Sequence, residues 1–298
     1  MGIWCDWEAQ GTRLSQNLLH DNQRPPFASV LKGGMMSQDI FVEVGHGPTL
    51  IDNNIMLSDA SLRFATEGVA LVHNLICGAL TCVGGGTGPR YTPYHMPHRT
   101  EVMGFMTVLH GDDRFYNNIF VQKWPSDDII TMHDSDDGFD TENRAAGTWM
   151  FDEYPTYDEW ISQFDFSKPA DMAKLYGAHE GKLPVWIEGN AYLGGAKPSK
   201  KDVNALISAV AREDVRVELV QKEDGYYLDT NVYELIEGFK NRMIDSDVLG
   251  KAFEPEERFE NPDGTAIRFD SDYFGTHRGV DVIPGPFAGA EEAAKVLY

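Results

Sequence analysis

The sequence is poor in cysteine, in basic residues and in long apolar runs. Its three cysteines, Cys5, Cys77 and Cys82, are odd in number and lack CxxC spacing. That excludes a disulfide framework and a structural zinc site and leaves buried thiols as the expectation. Only 25 Lys and Arg stand against 47 Asp and Glu, a formal charge of -22. Such a charge repels phosphate backbones and anionic membrane surfaces, so nucleic acid and membrane are poor partners and a neutral substrate fits better. No stretch approaches the roughly 18 apolar residues that span a bilayer. The N-terminus lacks the basic-then-apolar layout of a signal peptide, so a cytoplasmic location is the expectation. Met1 runs directly into the strand-like GIWCDW, as though the chain begins inside a fold.

What is present is a short recurring pattern: an apolar residue, a spacer, Asn, then two apolar residues. It occurs in LSQNLL, IDNNIM, VHNLI, FYNNIF and, more weakly, IEGNAY, giving Asn17, Asn54, Asn74, Asn118 and Asn190. Asn54 and Asn74 are 20 residues apart, near one coil of a β-solenoid; Asn74 and Asn118 are 44 apart, read as about two coils. The 37-residue gap from Asn17 to Asn54 is one coil plus an excursion, for which the Pro- and Gly-rich 24–37 is the obvious segment. Asn amides stacked at one corner can satisfy each other along the stack. The surrounding segments read as short strands, not as helices, except near 156–163 and 170–176. The fold expected is all-β: a right-handed parallel β-helix over 1–194, with insertions near 24–37 and 124–184. A C-terminal β-rich region, 195–298, follows as a β-sandwich-like or wrapping segment. Within it 215–220 and 225–235 suggest antiparallel strands, and NPDGTAIRF (261–269) carries a turn.

The ladder serves as a ruler. Eleven residues before Asn17 stands Asp6, eleven before Asn54 stands Glu43, and eleven before Asn74 stands Arg63. Equivalent positions on successive coils lie about 4.8 Å apart, which puts these three side chains in one column. Two carboxylates a rung apart repel, a costly arrangement unless chemistry uses it. About 5 Å is the separation a retaining glycosidase needs, with one carboxylate as nucleophile and the other as general acid/base. Arg63 would hold Glu43 or a sugar hydroxyl. Trp4 and Trp7 flank Asp6 and offer apolar faces to a pyranose ring. Taken singly, each of these residues is more often structural; the column is what argues otherwise.

Further candidates surround this column. His46 follows Glu43 by three residues and could tune it or touch the sugar, and Glu67 is the alternative acid/base, off the register. TPYHMPHRT gathers His95, His98 and Arg99 as a cleft wall or a loop of satisfied histidines. The acidic run 126–140 lacks calcium-loop spacing and reads as a solvated loop, and GGGTGP (84–89) lacks the phosphate-loop signature. No metal site is expected.

The segments GIWCDWEAQGTR, DIFVEVGHGPTLIDNNIMLS, GVALVHNLICG, RYTPYHMPHRT and GDDRFYNNIFV, continuing through KAFEPEERFENPDGTAIRFDSDYFG, resemble the β-helix core of glycoside hydrolase family 120 β-xylosidases. The resemblance covers most of the chain. It implies that Asp6 in GIWCDW is the nucleophile and Glu43 in DIFVEV the acid/base, in a retaining, exo-acting hydrolysis of xylo-oligosaccharides without a cofactor. Family members carry upstream coils and part of a β-sandwich region that this chain lacks. Two other readings remain open: a β-helix polysaccharide lyase, disfavoured because an acidic protein repels uronates, and a non-catalytic sugar-binding β-helix. The first coil would present unpaired strand edges unless something covers them, which leaves room for a homo-oligomer.

Overall fold

The strands rich in Val, Ile, Leu and Phe pair in parallel, coil upon coil, into three sheets. The computed structural model describes residues 1–23, 37–83, 91–123, 126–132, 142–165, 167–168 and 181–298. The expected excursion at 24–37 (save residue 37), the glycine run 84–89, most of the acidic loop and the helix near 170–176 lie outside the described residues.

The first sheet stacks Ile3–Cys5, Gln38–Glu43, Ala60–Ala65 and Ala79–Val83. The second stacks Thr12–Ser15, Thr49–Asp52, Val69–Val72, Asp113–Tyr116 and Val185–Glu188. The third runs from Leu18–Leu19 through Ile55–Met56, Leu75–Ile76, Ile119–Val121 and Ala191–Leu193 to Leu206–Ile207. The chain visits the sheets in rotation, so the architecture is β-helix-like. Beyond Ala79–Val83 the first sheet changes character: Glu142–Ala145 joins it antiparallel, followed by Ile130–Met132.

Alternation decides what each side chain does. Ile40, Val42, Leu62, Phe64, Leu80 and Cys82 point inward, meeting Ile51, Leu71 and Phe115 of the second sheet and Met56, Ile76 and Phe120 of the third. The outer faces of the second and third sheets are covered as well, which is why their strands read as continuous apolar runs. Ile244, Phe259, Ile267 and Phe269 pack on Leu50, Ala70 and Val72. Val217, Leu228, Val232 and Phe287 pack on Ile55, Leu75 and Ile119. The C-terminal residues therefore wrap two of the three faces. Of the strands expected there, Val217–Lys222 and Gly225–Thr230 form an antiparallel hairpin, but the chain then coils into a short helix, Val232–Leu235. The expected helix near 156 is Tyr157–Ile161, closed at its start by reciprocal bonds between Thr156 and Glu159. No helix among the described residues is long and apolar enough to cross a membrane.

The asparagine ladder is continuous. The Oδ1 of Asn54 accepts the backbone and side-chain amides of Asn17, and the same double bond recurs from Asn54 to Asn74, Asn74 to Asn118 and Asn118 to Asn190. Asn118 thus stacks directly on Asn74. The 44 residues between them are one coil with an excursion, not two coils, because an antiparallel hairpin, Tyr91–His95 with Val102–Thr107, leaves the solenoid there. The residue before each ladder position, Gln16, Asn53, His73, Asn117 and Gly189, has φ between 52 and 73°. That left-handed corner suits Asn and Gly, and it produces the NN, HN and GN pairs in the sequence.

Cys77 and Cys82 are buried free thiols, whose burial pushes each up to about 12, and Cys5 is half-buried.

Candidate active site

With two outer faces occupied by the C-terminal wrap, the first sheet carries the candidate chemistry on its own outer face. Trp4 pairs with Phe41 and Cys5 with Val42. The next position in that register sets Asp6, one residue beyond its strand, beside Glu43, the last residue of the adjacent strand. Neither side chain belongs to the apolar interior.

Glu43 is 8% exposed, and its Oε2 accepts a 3.0 Å hydrogen bond from the indole Nε1 of Trp4. The indole lies parallel to the Phe41 ring, 5.8 Å away. Asp6 is exposed, and its Oδ1 accepts the backbone amide of Trp7 at 2.8 Å. Trp4 and Trp7 keep 49% and 48% of their surfaces open, as a sugar platform requires.

Arg63 is not on this rung. It pairs with Phe41, and Glu43 pairs with Ala65. The eleven-residue ruler fails because the turn after Glu43 runs from residue 44 to 48 whereas the turn after Ala65 runs only from 66 to 68. Arg63 is fully buried with its guanidinium 4.7 Å from the Phe41 centroid. The register therefore aligns Trp4, Phe41 and Arg63 in one column and Glu43 with Ala65 in another.

The longer turn has its own features. Val44, β-branched, is held at φ 38° directly after Glu43, an outlying backbone conformation. His46 is buried; its Nδ1 lies 2.6 Å from Glu67 Oε1 and its Nε2 3.0 Å from the Thr92 carbonyl. Burial opposes its charge, but Glu67 prevails and holds the imidazole above its ordinary value. The other oxygen of Glu67 accepts the Leu109 amide at 2.7 Å. Buried with both oxygens engaged, Glu67 is built to orient His46.

His95, His98 and Arg99 gather at the tip of the hairpin. The Nε2 of His95 lies 3.1 Å from Glu8, and that of His98 lies 2.8 Å from Glu260. Arg99 is exposed near Glu101. They line a cavity of about 720 Å³ with Gln10, Glu257 and Glu260, between the hairpin and the C-terminal wrap. Asp6 and Glu43 do not line it. Gln10 donates to the His95 carbonyl at 3.0 Å and to Glu257 at 2.6 Å, and accepts the His95 amide at 2.8 Å. It ties the loop after Asp6 to both neighbours. Sequence reasoning missed Gln10, since its partners lie 85 and 247 residues away. Among the described residues no group of three metal-ligating side chains comes together.

No family model matches the chain, and no curated protein matches it. Among solved structures the chain is similar to XylC, whose structure was determined in complex with xylose. The two are 30% identical with a TM-score of 0.77, over 96% of this chain and 39% of XylC, so the chain spans about two fifths of the length of that relative.

Proposed function

We propose that this chain carries the catalytic coils of a retaining glycoside hydrolase that releases xylose from xylo-oligosaccharides, as its resemblance to glycoside hydrolase family 120 implies. The observation that supports the reading is the pairing of Cys5 with Val42, whose next residues along the two strands are Asp6 and Glu43. Adjacent strands lie about 4.8 Å apart, and retaining enzymes hold their two carboxyls about 5 Å apart. The likeness to a protein solved with xylose supports a pentose in this site.

In this reading Asp6, its Oδ1 held by the Trp7 amide, attacks the anomeric carbon through Oδ2. Glu43 gives its proton to the glycosidic oxygen as the C–O bond breaks and the bonding pair passes to that oxygen. Water, deprotonated by Glu43, then displaces Asp6 and restores the original configuration. Trp4 and Trp7 flank the sugar, and the hairpin tip with His95, His98 and Arg99 serves the leaving-group side.

Turnover on a panel of aryl glycosides, with NMR of the first-formed anomer, tests the proposal. Asp6→Ala and Glu43→Ala should each lose turnover. Azide should restore Asp6→Ala, yielding a glycosyl azide of inverted configuration. Unchanged rates in both variants would remove the scheme.

A further inference from the structure

We infer that His46 is a positioning residue that pins the strained turn after Glu43 and so holds the general acid/base in place. The inference rests on the assignment of Glu43 as general acid/base. Val44, the residue that follows it, is β-branched and buried, yet stands at φ 38° in the left-handed region. Such a conformation persists only where its surroundings over-determine it, and relaxing it rotates the backbone directly beside Glu43.

The surroundings are the stacked turn of the next coil. The Val44 amide donates to the Ala65 carbonyl at 2.7 Å. The Gly45 amide donates to the Thr66 hydroxyl at 3.1 Å, and that hydroxyl donates back to the Gly45 carbonyl at 2.7 Å. Thr49, which opens the next strand, donates to the Gly68 carbonyl at 2.9 Å. His46 adds ties in two further directions. Its Nδ1 lies 2.6 Å from Oε1 of Glu67, and its Nε2 donates at 3.0 Å to the carbonyl of Thr92, on the first strand of the hairpin. A carbonyl only accepts, so Nε2 carries a proton. Glu67 is itself fixed by the Leu109 amide at 2.7 Å. One imidazole thus joins the turn after Glu43 to the next turn of the stack, through Glu67 to the segment before Asp113, and to the hairpin. It is buried, so it acts on the reaction through the backbone of Glu43 and not by touching the sugar.

The step that exposes this role is the second half of the reaction. Glu43 takes a proton from water as the water oxygen bonds to the anomeric carbon, and the bond to Asp6 breaks with its pair returning to that carboxylate. Azide, an anion with no proton to lose, makes the same displacement without a base. Azide therefore accelerates an enzyme whose base is out of place and not one whose base is in place.

The test is kcat on 2,4-dinitrophenyl β-xyloside, whose leaving group needs no acid, with and without azide. Azide should leave the wild type unchanged and raise kcat of His46→Ala by roughly tenfold, part of the factor of about 10²–10⁴ that a placed general base supplies. The product should be β-xylosyl azide. Both rates are read on one preparation, so the fraction of folded protein cancels. Thr66→Val removes only the hydroxyl bonded to Gly45 and should respond in the same direction by roughly threefold, the scale of one hydrogen bond. It carries the test if His46→Ala does not fold. Glu67→Gln, whose amide can still bond Nδ1 of a neutral imidazole, should respond least. A kcat insensitive to azide in both His46→Ala and Thr66→Val assigns His46 to stability alone and overturns the inference. So does an α-xylosyl azide product, which would mean that Asp6 and not Glu43 had been displaced. Absence of turnover by the wild type overturns the glycosidase reading and this inference with it.

Discussion

The Oδ1 atom of Asn74 accepts two hydrogen bonds from Asn54, one from its backbone amide and one from its side chain, each 3.0 Å long. Asn74 itself donates to Ile51 O and to Asn118. Asn74→Ala leaves the buried Asn54 backbone amide without this acceptor and removes the bond to Ile51, while Asn118 Oδ1 keeps the backbone amide of residue 74 and Asn54 Nδ2 keeps the Leu14 and Asp52 carbonyls. Unfolding in urea should show a loss of about 3 kcal/mol, at the upper end of the cost of a buried unsatisfied polar group. Asn17→Ala, on the half-buried first coil, should lose about 1 kcal/mol. Equal losses at the two positions would show that the ladder does not act as a cooperative stack.

The ladder was legible because one residue type must recur wherever the same corner recurs. Asn is hard to replace when its amide must give and accept in register. The length of each coil was not legible to the same degree. Nothing in the 44 residues after Asn74 marks the hairpin as leaving the solenoid, since Tyr91–His95 and Val102–Thr107 have the same strand chemistry as the coils. The ruler failed at Arg63 because the turn after Ala65 is two residues shorter than the turn after Glu43, so that Ala65, and not Arg63, pairs with Glu43. Glu67 and His46 both stood out as titratable groups. That they would spend their charge on each other depended on a contact across 21 residues that only the stacking of two turns creates.

Gly47 and Gly68 meet backbone to backbone. Both sit in left-handed conformations, and a Cβ on Gly47 would lie 2.4 Å from the Gly68 carbonyl oxygen. The turn that carries His46 can approach its neighbour only while both residues lack side chains. Gly47→Ala should therefore cost about 3 kcal/mol, combining the left-handed penalty with overpacking. Gly238, with φ 77° and open space around it, gives the control: Gly238→Ala should cost about 1 kcal/mol. Similar melting temperatures for the two variants would remove the close approach as the cause.

Glu67 and His46 form a buried pair whose removal should be felt twice. Glu67→Ala leaves the imidazole and the Leu109 amide without their acceptor, and breaking one side of such a pair costs about 3–5 kcal/mol. Glu67→Gln, which keeps the shape, should show the electrostatic part alone. With the carboxylate gone, burial governs His46, and its titration, followed by NMR, should move from above the ordinary histidine value to below it. The pH dependence reverses with it. In the wild type this histidine's contribution to stability is present at acid pH and lost as pH rises through its raised value; in Glu67→Gln a neutral buried imidazole is favoured instead. A histidine titration that stays put would mean that Glu67 does not hold the charge on His46.

Asp39 should make the protein less stable as pH rises through the neutral side of its titration. It is fully buried, and that burial pushes its carboxyl up to about 6 from an ordinary 3.8, against the bonds donated by Ser58 and Asn22. Ser58 Oγ lies 2.5 Å and Asn22 Nδ2 2.8 Å from the same oxygen, Oδ1. The folded chain thus keeps this proton to a higher pH than the unfolded chain does. The associated stability is fully present below about pH 4 and lost as pH climbs through about 6, and two pK units correspond to roughly 2–3 kcal/mol. Asp39→Asn, neutral at every pH, lacks this dependence. Unfolding free energies of wild type and variant, measured in urea from pH 4 to pH 7.5, should diverge in the variant's favour by about that amount. Because both chains carry nearly the same large negative charge elsewhere, general repulsion cancels in the comparison. Parallel curves would mean that Asp39 is ionised in the folded protein across the whole range.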